Sequence, residues 1–473
     1  MRASLASTIA VACAAALALP VTLAAPAAAT ARPAATVPPP QRDEPPGSTR
    51  SLPLGPLDGP TARAFGTAAD PSRAQGLTRR DVRPFSLVGV VWDDPEAVLR
   101  GTVQVRTRAT ADGSWSPWQD VETHNEEHGA DPATAEGTAR TLRGSTAPLW
   151  VGDSDGVEVR VRAADPGEET GHGTEEGAVA GDGGARTAPL PAGLRLELVD
   201  PGADPETGTD AAPAAPGART AAASAALDAA AERAASAVNR AYAPEGATVI
   251  EAEPDRTAPV GVRAAAAKKQ PFIGPRPRIV TRKGWGADER MREKTFVYTK
   301  TIKAAFVHHS ATGNNYTCAQ APSVLRSIYR YHVKSSGWRD FGYNFAVDKC
   351  GTIYEGRAGG VGKPVLGAHT LGFNTNSMGV VVLGTFTNST PPAAAVTAVS
   401  RLTAWKLGLH GINPEGTQTL VSGGGNRYKK GSKVRFHTIA GHRDGFATDC
   451  PGGRLYGKLG TARASSAKYQ GRR

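Results

Sequence analysis

Three short segments near the C-terminus hold residue types that can do chemistry together: FVHHSA ending at Ala311, FGYNFAVDKCGTIYEGR from Phe341 to Arg357, and AGHRDGFATDCPG from Ala440 to Gly452. His308, His442 and Cys450 offer two imidazoles and one thiolate, a donor set suited to zinc. Three protein ligands leave the fourth tetrahedral position to water, which is the arrangement of a catalytic rather than a structural zinc site. Read this way, the chain is a zinc hydrolase.

Such ligands must be gathered from distant parts of a rigid sheet, and the C-terminal zone reads as mixed α/β. KAAFVHH is a short buried strand running into His308. APSVLRSIYRYHV opens with Pro322 at a helix start and sets Val324, Ile328 and Tyr331 on one face. YNFAVDKCGTIYEG reads as a hairpin turning at Asp348 to Gly351. SMGVVVLGTF, apolar almost throughout, reads as a central strand covered on both faces. A second helix runs from Pro391 to Leu409, with Gly411 in the stop position just beyond it. A Gly- and Lys-rich insertion from Ser422 to Lys433 then precedes the strand RFHTIAGH.

His442 and Cys450 are separated by seven residues, a spacing that means little by itself. Its weight comes from the order WGA at Trp285, VHHSA, a helix ending YHV, GWRDFGYNF, YEGR, GAHTLGFNTNSMG, and GHRD followed by TDCPG. This series resembles the zinc amidase family that includes peptidoglycan recognition proteins and phage-type N-acetylmuramoyl-L-alanine amidases, here in a secreted, actinobacterial type. The match runs from Trp285 to about Leu459. The resemblance implies zinc on His308, His442 and Cys450, a catalytic Tyr343, and Thr448 beside the reacting carbonyl. It also implies a substrate groove lined by His369 and Asn374. The expected reaction is cleavage of the amide between N-acetylmuramic acid and L-alanine in peptidoglycan.

The chemistry suits these residues. Zinc acidifies water to a pKa of about 7 and polarises the carbonyl, while Tyr343 and Thr448 can donate hydrogen bonds to a developing oxyanion. The alternative is a non-catalytic peptidoglycan-binding module. Members of that kind lose the zinc thiolate, and this chain keeps both Cys450 and Tyr343. A cytoplasmic wall-recycling amidase conflicts with the export signal described below. Two departures stand out: YEGRAGG replaces the YEGRGW of animal members, and their compact disulfide after the first zinc strand is absent. The first leaves the stem-peptide preference open. His309, next to His308, should project to the opposite side of the strand and serve structure. His410 and His437 read as packing or surface residues, and Trp338 suits a groove wall or plain packing equally.

The N-terminus reads as an export signal, residues 1–29. Arg2 precedes an Ala-rich apolar run, and Ala27 and Ala29 offer a cleavage site. Cys13 lies inside that run, which argues against lipidation there. No later stretch reaches the ~18 consecutive apolar residues of a membrane span, so the mature chain is not expected to span one; the export signal points to a secreted, wall-associated protein, expected to be a monomer. Without Cys13 three cysteines remain. If Cys450 binds metal, Cys318 and Cys350 are left to pair as a disulfide, which an oxidising compartment permits.

Charge is divided sharply. Residues 271–473 hold 30 Lys and Arg against 9 Asp and Glu, a net of +21, so the other 270 residues carry −10. Behind an export signal, such a basic domain suits anionic wall polymers rather than nucleic acid, with plain solubility as the competing reading of the charge. Upstream, residues 30–80 are rich in Pro and Ala and read as disordered. Residues 81–201 hold the runs SLVGVVW, TVQVRTRA, PLWVG, GVEVRVRA and GLRLELVD, as in an all-β sandwich. The acidic stretch Pro166 to Gly184 reads as a long loop within it. Residues 202–275 form an Ala- and Pro-rich linker in which Ala221 to Tyr242 can be helical. The amidase domain spans 276–465. The role of the β-rich domain is open between binding wall polymer, docking on the amidase and spacing.

Overall fold

A computed structural model describes residues 47–57, 73–123, 125, 128–164, 189–204, 219–254 and 272–472. The expected signal peptide and the acidic loop lie outside these residues.

The N-terminal half is all-β. Its strands are β1 (Ser48–Pro53), β2 (Gly55–Pro56), β3 (Ala74–Trp92), β4 (Gly101–Ala109), β5 (Gln119–Val121), β6 (Gly144–Ser145), β7 (Leu149–Ala163) and β8 (Arg195–Asp200). They join one hydrogen-bonded sheet in the order β1-β8-β3-β7-β4-β5, with β2 and β6 pairing to β3. Within the stretch 30–80, read from sequence as disordered, residues 48–53 are instead a strand: β1 pairs antiparallel with β8 from Ser48↔Asp200 to Pro53↔Arg195. As an edge strand β1 tolerates its proline, which cannot donate to a ladder.

One face of the sheet closes over Val88, Val90, Val103, Val105, Val159, Val161, Leu196 and Leu198. The other face is covered as well. Leu87, Val91, Trp150 and Val199 share a buried cluster with Val324, Leu325, Ile328, Tyr329 and Tyr331 of the C-terminal half. The β-rich domain therefore docks on the C-terminal domain, one of the three roles its sequence left open. Gly89 permits a close approach, since a Cβ there would lie 2.4 Å from the Tyr331 hydroxyl oxygen. That hydroxyl donates to Thr146 O at 3.0 Å.

The supposed linker is partly built into the fold. Helix α1 (Arg219–Ala237) is followed by β9 (Val249–Ile250), which pairs with β10 (Ile279–Val280). Asn239, just beyond α1, donates to both carboxylate oxygens of buried Glu355 at 2.9 and 3.0 Å. The remaining elements are β11 (Ala304–His309), α2 (Ala321–Arg330), β12 (Phe345–Val347), β13 (Ile353–Glu355), β14 (Ser377–Val382), α3 (Ala393–Leu409), β15 (Thr417–Val421), β16 (Lys433–His437), β17 (Ile439–Gly441), and the helices α4 (His442–Gly445), α5 (Gly453–Tyr456) and α6 (Leu459–Tyr469). The expected strand RFHTIAGH is thus two, broken at Thr438.

The seven-stranded mixed sheet runs β17-β11-β14-β12-β13-β10-β9. The interior strand β14, between β11 and β12, is buried at every residue, as its unbroken apolar run predicts. A disulfide joins Cys318, ahead of α2, to Cys350 in the β12–β13 turn. No helix among the described residues is long and apolar enough to cross a membrane.

Candidate metal centre

The sheet explains why two of the histidines meet. β11 and β17 are adjacent and parallel, with Val307 opposite Gly441. His308 and His442, each the next residue, therefore leave neighbouring strands at the same end. Asp444 holds the turn after β17 by accepting Gly441 N at 2.9 Å and the Tyr456 hydroxyl at 2.7 Å. The following loop returns to the site because Arg443 N donates to Cys450 O at 2.9 Å. Cys450 N in turn donates to Thr448 Oγ1 at 3.1 Å.

Cys450 Sγ lies 3.7 Å from His308 Nδ1, close to the ~3.5 Å between nitrogen and sulfur ligands of one tetrahedral zinc. The other nitrogen of His308 lies 3.4 Å from Thr370 Oγ1, a contact that leaves Nδ1 pointing at the thiol. Burial and the neighbouring imidazoles of His442, His369 and His128 push the His308 pKa well below the usual histidine range. The ring is therefore neutral, as a metal ligand must be.

A fourth donor completes the group, and it comes from the other half of the chain. His128, on the connection between β5 and β6, places Nε2 3.9 Å from Cys450 Sγ. Its ring centroid is 4.6 Å from that of His442 and 5.4 Å from that of His308. Ligand atoms of His128, His308, His442 and Cys450 all lie within 4.8 Å of one another, and all four residues are buried. The sequence reading left the fourth position to water; here a fourth protein donor stands beside the other three. Three imidazoles and a thiolate are a donor set that fits zinc.

The other residues singled out in the sequence fall around this group. The Tyr343 ring is buried, 5.1 Å from that of His308 and 5.8 Å from that of His128. Thr448 is half-buried beside the thiol. His369 packs 5.3 Å from His308 with Nδ1 3.0 Å from Thr370 Oγ1, and burial with the charge of Arg357 lowers its pKa to about 3. Asn374 Oδ1 accepts the backbone N–H of His369 and Thr370 at 2.8 and 3.0 Å. Trp338 stacks on His332 at 4.4 Å and is 7% exposed, so in this conformation its ring packs. His309 turns away from the thiol to accept Phe386 N at 3.3 Å, and burial lowers its pKa to about 4. His410 pairs with Thr301, and His437 is exposed.

The connection bearing His128 continues across the same face. Asp131 Oδ1 accepts Gly372 N at 2.9 Å and Asn374 Nδ2 at 2.8 Å, and Asn374 Nδ2 also donates to Gly129 O at 2.8 Å. Glu136 forms a buried, two-point ion pair with Arg357, at 2.7 and 2.9 Å. Between Tyr343, His128, Thr448 and Cys450 the remaining crevice measures about 20 Å³, room for about one water. Reasoning from sequence missed His128, Asp131 and Glu136. They lie on a loop without periodicity, some 180 residues before the nearest other ligand.

Residues 298–453 match the family described as N-acetylmuramoyl-L-alanine amidase. Residues 29–189 match the family described as Rv3811 N-terminal galactose-binding domain-like. Peptidoglycan-recognition protein SC2 of Drosophila melanogaster is 28% identical over 183 residues, covering 39% of this chain and 85% of that protein. A human N-acetylmuramoyl-L-alanine amidase is 31% identical over 212 residues, covering 44% of this chain and 32% of that protein. The solved structure of wild-type Drosophila PGRP-LB aligns with 27% identity over 39% of this chain and 92% of that one, at a TM-score of 0.31.

Proposed function

Because the C-terminal domain belongs to the N-acetylmuramoyl-L-alanine amidase family, we propose that this chain is a secreted, zinc-dependent hydrolase of the amide between N-acetylmuramic acid and L-alanine in peptidoglycan. The observation that carries this reading is the convergence of His308, His442 and Cys450 beside Tyr343. Those three side chains would hold the ion. When bound, zinc supplies Lewis acidity toward an amide carbonyl and acidifies water.

The rest is the work of the chain's own groups. Thr370 orients His308, and Arg443 holds the Cys450 loop against α4. Tyr343 would donate to an oxygen that gains charge as the carbonyl becomes tetrahedral, a role supported by its place with Thr448 in the wall of the same crevice. One such donor commonly lowers a barrier by about 3 kcal/mol. The net charge of +21 over residues 271–473 would add non-specific attraction to anionic wall polymers, weakening as the screening length falls from ~8 Å at physiological salt to ~3 Å at 1 M.

Digestion of purified cell wall, followed by mass spectrometry of the released peptides, tests the reaction. Free L-alanine N-termini should appear, vanish on chelation and return with zinc, and be missing with Cys450→Ser. Peptides released at any other bond would overturn the assignment. One observation favours a second reading, peptidoglycan binding without cleavage: the fourth donor, His128, closes the coordination set.

A further inference from the structure

That closure and the contacts beyond it form one device. We propose that the segment 128–136, on the connection between β5 and β6, is an inhibitory latch, in which His128 takes the fourth ligand position of the metal while Asp131 and Glu136 close over the groove. The proposal rests on the hydrolase reading only for the meaning of the closed state. The closure itself is geometry.

Three features separate a latch from ordinary domain packing. First, the contacts are polar and fall on a donor of the candidate metal group, on a residue expected to line the groove, and on a buried arginine beside it. His128 meets Cys450, Asp131 and Gly129 consume the Asn374 amide, and Glu136 holds Arg357. Second, they are supplied by a segment with little regular structure of its own. Among the described residues between β5 and β7, only Gly144 and Ser145 form a strand. Third, the β-rich domain is already held elsewhere, by its apolar face on α2. The latch can therefore lift while the domain stays docked.

The closed state excludes substrate in two ways. The crevice beside Tyr343 has room for about one water, whereas pockets for drug-sized ligands run to hundreds of Å³. A ligand tethered to the site also competes at an effective concentration in the millimolar range. A muramyl peptide below that concentration stays outside until the latch is released.

Cobalt(II) in place of zinc makes the coordination visible in the full-length chain. With His128 bound, the ligand-field spectrum should be that of a four-coordinate ion and should not respond to azide. His128→Ala should leave a position that azide enters, with a spectral change and measurable saturation. Muramyl-peptide binding by calorimetry should tighten at least tenfold. Asp131→Asn, which leaves all four ligands in place, should give a partial azide response and checks against misfolding of the first variant. Identical azide responses in the parent and His128→Ala, whether both silent or both saturable, would overturn the latch. If the spectra separate as expected but neither protein cleaves peptidoglycan, the latch stands and the hydrolase reading fails.

Discussion

The β-rich domain meets the amidase along two surfaces of opposite character. Around α2 the contact is mainly apolar, built from Leu87, Val91, Trp150 and Val199 against Val324, Ile328 and Tyr331, with Arg326 donating to Pro201 O and Asp204 at its rim. Around the metal centre it is polar and pointwise, through His128, Asp131 and Glu136. Apolar burial contributes about 25 cal/mol per Å² whatever the partner's orientation, so the first surface sets affinity and holds through small movements. A buried ion pair gains little net free energy over water, yet is costly once one partner is lost. The second surface thus depends on register and can be undone by one change. One surface keeps the domains together, and the other decides whether the site is open.

Breaking the apolar surface should have the largest effect on stability. Trp150→Ala removes a nearly fully buried ring from the shared cluster, and truncations of that kind cost about 3–5 kcal/mol. Denaturant titration should show the loss; a midpoint unchanged within error would mean that the two halves do not share a core.

Gly89→Ala should follow, at about 1–3 kcal/mol for overpacking, because the new methyl would meet the Tyr331 hydroxyl. Tyr331→Phe alone should cost about 1 kcal/mol for its hydrogen bond to Thr146. The double variant should then be more stable than the two single losses add up to. Strict additivity in that cycle would place the strain elsewhere.

On the polar surface the balance should reverse. Were the latch to stay shut, Glu136→Gln would strand buried Arg357 at a cost of about 3–5 kcal/mol. Lifting the latch lets the guanidinium reach water, so the midpoint should fall by less than that, while peptidoglycan cleavage should rise. A full stability loss with no gain in rate would mean that Glu136 is part of a fixed core.

The smallest effect is with pH. Burial pushes the Glu136 carboxyl up, and Arg357, with Arg339 behind it, more than offsets this, leaving it below its ordinary 4.5. A depressed folded-state pKa stabilises fully above 4.5 and loses that contribution as pH falls through the folded value. Asp131 runs the other way. Burial outweighs its hydrogen bonds from Asn374 and Gly372 and raises it, so its own contribution is lost as pH rises and partly cancels the first. In chelated protein, the difference in denaturation midpoint between the parent and Glu136→Gln should narrow below pH 4.5. A gap that persists into strong acid would remove the ion pair from the account.

Much of the amidase half was legible because its signals are local and regular. The continuous apolar run of β14 marked a central strand, the Asp348 turn marked the hairpin, and VHH at the end of β11 placed His308. What was missed depends on contacts between distant parts of the chain. β9 has two residues and therefore no period. β1 carries a proline that an edge position tolerates. His128 is a lone histidine on a loop, and only the docked fold gives it a thiolate neighbour. One missed signal was present: SLVGVVW is apolar on both faces, and Ser86–Trp92 is buried throughout. A strand with one wet face alternates, so that run already required a cover, and α2 is the cover.

The strand Val249–Ile250 bears on how modular the amidase is. It forms the last rung of the seven-stranded sheet, and Asn239, ten residues before it, caps Glu355, whose pKa burial raises to about 7. A fragment excised at residue 276 would leave both behind and would also bare the apolar side of α2. It would bare an unpaired sheet edge and an apolar helix face, both liabilities for association. Adsorption to charged walls is therefore a property to measure on the intact chain, and any transplant of this domain into another protein has to begin its borrowed segment well before the residues that match the amidase family.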